Sequence, residues 1–107
     1  DKIKSFNSKE DAENLLKESR NRIDEIDNKL FDLICQRTSI AKDVALAQDY
    51  LGLPVYDKSR EEAIHAKLGK LSEENDIDID IINQIVDMLT ILNKNEQNEI
   101  LRRNVDG

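Results

Sequence analysis

The sequence contains few residues that interrupt helices and few aromatic side chains. Its 107 residues include three glycines, one proline and 4% aromatics, whereas charged residues make up 36%. Glycine and proline start turns and end helices, so this composition is typical of long helices joined by few loops. We therefore predict an all-α fold in a single domain over residues 1–107, with residues 1–8 as a disordered or extended lead-in.

The chain also lacks a second cysteine, a long apolar run and a basic tract. Cys35 alone cannot form an intrachain disulfide, and no segment approaches the roughly 20 apolar residues of a membrane span. The 23 acidic residues outnumber the 16 basic ones, and the formal net charge of −7 repels nucleic acids and anionic membranes. We expect a cytoplasmic protein without a nucleic-acid or membrane partner. Its start at Asp1 rather than Met suggests a processed form or one domain of a longer protein.

The first predicted helix is very long. Ser8 and Asp11 have the spacing of a helix-capping pair, and neither glycine nor proline interrupts residues 9–51. Apolar residues recur there at steps of seven or fourteen, at Leu16, Ile23, Leu30, Val44 and Leu51. A helix of ~40 residues is ~60 Å long, more than the rest of the chain can cover. A second copy packed along this stripe would cover it, which predicts a homodimer.

Two shorter helices are predicted after the Gly-Leu-Pro break at 52–54, giving three helices in all. Asp57 is a good N-cap for the second helix, and Asn75 suits its C-terminus. The alternation of isoleucine and aspartate over residues 77–81 resembles a strand, but no second strand exists to pair with it. We therefore predict that the third helix begins near Ile81, where the helical period returns.

Each predicted helix places polar side chains on the face that should be buried. For any one of them, fixing the register or reaching out to water is the simpler interpretation. A cluster from three helices instead favours a binding site, because buried charges are costly unless they are paired, and guanidinium groups bind carboxylates bidentately. A small dicarboxylate is therefore the expected ligand. The polar positions are Arg37, Gln48, Asp57, Arg60, Glu61, Asn93 and Gln97.

Several of these residues belong to motifs that resemble a known family. R-x-x-I-D-x-x-D-x-x-L begins at Arg20, I-x-x-R-x-x-x-A covers residues 34–41, P-V-x-D-x-x-R-E covers residues 54–61, and Gln97 follows. Together they resemble the all-helical class of chorismate mutases. The resemblance implies an intertwined homodimer whose two active sites each take residues from both chains. It also implies the Claisen rearrangement of chorismate to prephenate, on the route to phenylalanine and tyrosine.

The resemblance further implies which residues bind the two substrate carboxylates. Arg37 would bind one carboxylate within its own subunit, and Arg20 of the partner subunit would bind the other. Helix geometry agrees independently, because Arg20 and Arg37 lie ~25 Å apart along one helix, too far for one small dicarboxylate.

The remaining implied contacts involve the ring hydroxyl and the ether oxygen of chorismate. Asp57, Arg60 and Glu61 would order the site and contact the hydroxyl. Gln97 would donate a hydrogen bond to the ether oxygen of the breaking bond. A unimolecular rearrangement of this kind needs positioning and charge stabilisation, and we expect neither a metal nor a cofactor.

Two positions depart from the family pattern. Where the family usually has a lysine that donates to the ether oxygen and a carboxylate, this chain has the neutral amide Gln48, so we expect weakened catalysis. Lys42 lies ~9 Å away along the helix, on another face, and cannot take over. Asn93 replaces a common serine, and both residues can hydrogen-bond a carboxylate.

Three other functions stay open at this point. The chain could be a non-catalytic mutase-like module that binds a ligand or regulates a shikimate-pathway enzyme, which the neutral Gln48 favours. It could be an isochorismate-pyruvate lyase, which shares the fold. A plain helical dimerisation module fits the polar cluster least. We expect His65 to be solvated and Cys35 to have a packing role.

Overall fold

The computed structural model describes residues 5–106 and contains three α-helices. Helix α1 spans Lys9–Leu51, α2 spans Lys58–Glu74 and α3 spans Ile79–Asp106. The described residues include no strand, so the all-α, three-helix prediction is confirmed. Residues 1–4 of the predicted lead-in lie outside the described range.

The chain divides into two compact units, residues 1–35 and residues 36–107. Helix α1 contributes to both units, whereas α2 and α3 belong to the second. The assignment of residues 1–107 to a single domain stays a prediction.

Both ends of α1 agree with the sequence prediction. The backbone N–H of Asp11 donates to Ser8 Oγ over 3.1 Å, which caps the first turn. At the other end Gly52 has φ 71°, and the N–H of Leu53 reaches back to the carbonyl of Gln48 over 2.8 Å. This closing bond and the left-handed residue form a Schellman motif, for which glycine is the usual residue. The long first helix of the prediction is therefore confirmed from its first residue to its last.

The caps of α2 are also the predicted residues. Asp57 is the N-cap, and its Oδ1 accepts the backbone N–H of Arg60 over 3.1 Å. Asn75 is the C-cap, and its side-chain Nδ2 donates to the carbonyl of Leu71 over 2.8 Å. The first bond satisfies a backbone N–H that has no partner inside the helix. The second adds to the bond that the backbone N–H of Asn75 donates to the same carbonyl over 3.1 Å.

Helix α3 begins two residues before the predicted start at Ile81. Asp78 Oδ1 accepts the backbone N–H of Asp80 over 2.9 Å, which caps a helix that begins at Ile79. The alternating isoleucines therefore include the first turn of a helix. The helix start is marked by an aspartate cap, a local signal that is independent of apolar periodicity.

The first unit is helical from Lys9 onward, and its apolar side chains remain exposed. Six large apolar residues of this segment are each at least half exposed. Three of them, Leu16, Ile23 and Leu30, follow the seven-residue repeat of the prediction, which indicates a stripe that this unit alone does not bury. The six are Leu16, Ile23, Ile26, Leu30, Phe31 and Leu33.

The core of the second unit is small and partly polar. Ala45 is the one buried apolar residue in the described part of the chain, whereas Ser72, Asn93 and Gln97 are buried polar residues. Buried polar groups must find hydrogen-bond partners, and the amides of Asn93 and Gln97 on α3 find theirs on α1. This arrangement makes polar contacts a structural part of the interior.

Two predictions about single residues are wrong. His65 is half-buried between α2 and α3, with Nδ1 3.0 Å from Asn83 Oδ1 and Nε2 3.4 Å from Asp87 Oδ1. The expectation that it is solvated considered only the stripe of α2 and ignored the neighbouring helix. Cys35 is exposed, so the expected packing role does not hold within this chain.

None of the three described helices offers an apolar stretch long enough to cross a bilayer. The cytoplasmic location stays a prediction.

Candidate active site

The candidate site is a cavity of about 370 Å³ that lies entirely within the second unit. This volume falls in the range of small-molecule binding pockets, roughly 300–1,000 Å³. Its walls come from α1, the loop that follows it, α2 and α3. The apolar lining residues are Ile40, Ala41, Val44, Val55 and Ile64. The polar lining residues are Arg37, Gln48, Tyr56, Asp57, Arg60, Glu61, Thr90, Asn93, Lys94 and Gln97.

A hydrogen-bond chain fixes Arg37 against α3. The Arg37 guanidinium donates to Asn93 Oδ1, and Asn93 Nδ2 donates to Thr38 Oγ1 over 2.8 Å. A guanidinium can only donate, so the oxygen of the Asn93 amide must face Arg37 and its nitrogen must face Thr38. Because Asn93 is buried, this pairing orients Arg37 in the cavity before any ligand binds.

Gln97 is anchored to α1 through its side chain. Its Nε2 donates to the backbone carbonyl of Ala41 over 2.8 Å, and the residue is buried. A side-chain amide carries two N–H groups, so one donor remains for a ligand in the cavity. The anchoring bond holds that second donor in place.

Gln48 lies half-buried in the last turns of α1, and its Oε1 is fully buried. Within the described residues this oxygen has no hydrogen-bond partner. A buried acceptor without a partner costs roughly 1–3 kcal/mol, so a donor supplied by a ligand would stabilise the site. Rotation of the amide by 180° would present its N–H₂ group at the same place.

The N-terminus of α2 supplies carboxylates and a second guanidinium. Asp57 caps the helix, Glu61 is half-buried one turn later, and Arg60 lies between them. Among the described residues neither Arg37 nor Arg60 has a carboxylate within ion-pair distance. Both guanidinium groups are therefore available to an anionic ligand.

Sequence reasoning missed three polar lining residues, Tyr56, Thr90 and Lys94. The Lys94 Nζ lies 4.6 Å from the centroid of the Tyr56 ring, a cation–π distance. Lys94 follows Asn93 directly and precedes Gln97 by three residues, so helical spacing places it near the same face. That spacing was the available signal. No sequence signal pointed to Tyr56, because it lies in a loop without periodicity.

The cavity is positively charged inside an acidic protein. Arg37, Arg60 and Lys94 outnumber the carboxylates of Asp57 and Glu61, although the chain carries a formal charge of −7. A local excess of positive charge attracts anions and is not explained by the overall composition. The cavity is therefore suited to a small anionic ligand with apolar parts.

Comparison with known proteins identifies the family. Residues 19–103 match the family described as chorismate mutase type II. The chain belongs to this family. The resemblance inferred from the three motifs and the predicted enzyme class, an isomerase, are thereby confirmed.

Individual chorismate mutases agree with the family match. The chain is 43% identical over 86 residues to the chorismate mutase of Methanocaldococcus jannaschii, covering 80% of this chain and 87% of that protein. It also resembles the solved NMR structure of a monomeric chorismate mutase from Methanococcus jannaschii, with a TM-score of 0.66 and 37% identity. That match covers 86% of this chain and 96% of the solved one.

All the site residues predicted within one chorismate mutase chain line the same cavity, whereas Arg20 does not. Arg20 belongs to the first unit, where its side chain is exposed. The predicted homodimer is not confirmed, since the similar solved structure is described as monomeric. The role of each residue stays a prediction. Within the described residues no group of histidine, cysteine, aspartate and glutamate is arranged to hold a metal ion.

Proposed function

We propose that the cavity of the second unit is the active site for the Claisen rearrangement of chorismate to prephenate. The observation that carries this proposal is the convergence of guanidinium and amide groups from α1, α2 and α3 on one partly apolar cavity. The substrate is a small dicarboxylate with an apolar ring, which complements such a lining. Family membership supports the same reaction.

The rearrangement is unimolecular, so the protein acts through positioning and electrostatics. It must hold the enolpyruvyl side chain over the ring in the conformer that reacts, which removes most of the entropic barrier. In our proposal Arg37 binds one carboxylate bidentately. Its hydrogen bond to Asn93 keeps the guanidinium oriented between turnovers.

The ether oxygen of the breaking bond gains negative charge in the transition state. Donors fixed beforehand at that point lower the barrier more than donors that must reorganise. We assign this role to the second N–H of Gln97, which the bond to Ala41 holds in place, and to the amide of Gln48. Both are neutral, so the stabilisation they provide is smaller than that from a charged group.

The α2 residues are assigned to the ring hydroxyl of the substrate. Glu61 is a half-buried carboxylate in the cavity wall, and a carboxylate readily accepts a hydrogen bond from a hydroxyl group. Arg60 and Asp57 then balance the charge around it. The hydroxyl contact would set the orientation of the ring relative to Arg37.

A direct assay tests this function. We expect purified protein to consume chorismate and to form prephenate in equal amounts, with no pyruvate. The Arg37→Ala protein, purified in the same way, controls for contaminating host enzymes. Formation of pyruvate from isochorismate would instead indicate the lyase. Binding of chorismate without turnover would indicate a non-catalytic module.

We also propose that the active form is a homodimer with composite sites. The exposed apolar stripe of the first unit and the small core of the second leave apolar surface that a second copy would bury. Arg20 lies in the same helix segment as the apolar stripe. Packing of the two stripes would therefore also bring Arg20 of the partner subunit to the cavity. In this arrangement Arg37 of one subunit and Arg20 of the partner subunit bind the two carboxylates of each substrate.

Sedimentation equilibrium at micromolar concentration should therefore report a dimer. Ile26→Glu places a charge on the stripe and should shift the equilibrium to monomer, because an unpaired charge in an apolar seam is costly. Asn28→Glu adds the same charge on the opposite side of the helix and should leave the dimer intact. A monodisperse wild-type monomer with full helicity would contradict the composite site.

A further inference from the structure

Lys94 is a half-buried lysine of the cavity that the proposed roles do not use. Its ammonium lies over the ring of Tyr56, 4.6 Å from the ring centroid. Among the described residues no carboxylate lies within ion-pair distance of it. By contrast, Lys42 and Lys58 each have a glutamate within 4.0 Å. A half-buried cation without an anion, in a chain rich in carboxylates, needs another explanation.

The charge of the cavity depends on this lysine. Without Lys94 the two arginines and the carboxylates of Asp57 and Glu61 would cancel. With it the cavity carries one excess positive charge, and the amides of Gln48 and Gln97 in the wall are neutral. A dianionic ligand in a partly desolvated cavity binds more tightly when opposite charges face it. Lys94 is thus the source of the charge that makes the cavity of one chain cationic.

The contact with Tyr56 also favours a ligand role. A cation–π contact engages one side of the ammonium and leaves some of its three N–H donors free. The aromatic face holds the long lysine side chain in the cavity without neutralising it. A carboxylate that enters the cavity would then meet a positioned cation that has no competing ion pair.

We propose that Lys94 is a substrate-binding residue whose ammonium pairs with a carboxylate of chorismate in the cavity. This inference rests on the proposed function, since the cavity must be the active site. The simpler alternative is that Lys94 only packs its methylene stem on Tyr56 with its ammonium in water. The two alternatives differ in whether the charge or only the stem matters.

The test compares Lys94→Met with Lys94→Arg. Methionine keeps an unbranched stem over Tyr56 and removes the charge, whereas arginine keeps the charge. We expect Lys94→Met to raise the KM for chorismate about tenfold with a smaller change in kcat, the size expected for one partly exposed charged hydrogen bond. Lys94→Arg should stay within about threefold of wild type. Lys70→Met removes the same charge from an exposed position of α2 outside the cavity and should leave KM unchanged.

Two further measurements keep the outcome decisive. Circular dichroism and the urea midpoint establish that each variant is folded. A packing role alone would leave both the midpoint and the KM of Lys94→Met near the wild-type values, because methionine keeps the stem over Tyr56. A KM of Lys94→Met within about twofold of wild type would overturn the proposal while leaving the mutase function intact. If the wild type binds chorismate without turnover, the proposed function fails. Calorimetric titration of wild type and Lys94→Met with chorismate then decides the role of Lys94 by itself.

Discussion

Arg37→Ala should lower kcat/KM for chorismate by about 10²–10³-fold, the usual cost of removing one partner of a desolvated, hydrogen-bonded charge pair. The structure makes this residue costly to replace, because Asn93 already orients the guanidinium in the cavity. Steady-state kinetics give the loss in activity, and calorimetric titration with chorismate gives the loss in binding. Arg20→Ala should cause a comparable loss in a composite site. Arg22→Ala, two residues farther along the same exposed helix segment, is the matched control and should behave like wild type.

Mixing the two inactive variants distinguishes a composite site from two separate defects. In a heterodimer of Arg20→Ala and Arg37→Ala subunits, one site receives both intact arginines and the other receives neither. After complete subunit exchange about a quarter of the wild-type sites should therefore be restored, since half of the dimers are mixed. Native mass spectrometry confirms the exchange. If exchange is complete and no activity returns, Arg20 does not act across the dimer.

Gln48→Lys should raise kcat, and raise it more than it lowers KM. The ether oxygen carries its largest negative charge in the transition state, so a cationic donor stabilises that state more than the bound substrate. A charged hydrogen bond contributes roughly 1.5–3 kcal/mol against about 0.5–1.5 for a neutral one, which allows about a tenfold gain. Replacement should be tolerated, because glutamine and lysine have similar helix propensities and Oε1 gives up no hydrogen bond.

Asn98→Lys is the matched control for Gln48→Lys. It makes the same kind of change, from an amide to a lysine, at an exposed position of α3 outside the cavity, and should leave kcat unchanged. Rapid turnover by the wild type, combined with a lower kcat for Gln48→Lys, would show that the amide is not a defect. Lys94 would then be the first candidate for the residue that supplies the missing charge.

The helices of this chain were predictable because their signals are local. Uninterrupted periodicity defined α1, and Asp57 and Asn75 defined the ends of α2, since a cap depends on the few residues around it. Helix α3 begins two residues before its predicted start. Its cap, Asp78, lies within an alternation of isoleucine and aspartate that is typical of a strand. Local chemistry therefore accounts for the described secondary structure almost completely.

The site was predictable only where a residue stood out on an apolar face. Arg37 and Gln97 did so, and both line the cavity. Lys94 did not, because its place in the cavity involves a neighbouring element, the loop residue Tyr56. The same holds outside the cavity for His65, whose partners Asn83 and Asp87 belong to helix α3. One helix considered alone carries no information about the side chains that another element brings to it. Tertiary contact is thus the information that the sequence patterns lacked.

The cap of α2 has an evolutionary consequence. One oxygen of Asp57 accepts the backbone N–H of Arg60, and the same side chain lines the cavity. Selection for a stable helix and selection for the ligand therefore act on a single carboxylate. A descendant that lost its substrate would still be expected to keep Asp57, or to exchange it for serine or asparagine, the other good caps. An aspartate at this position in a relative is therefore weak support for activity. An arginine at the position of Arg37 is stronger support, because Arg37 caps no helix.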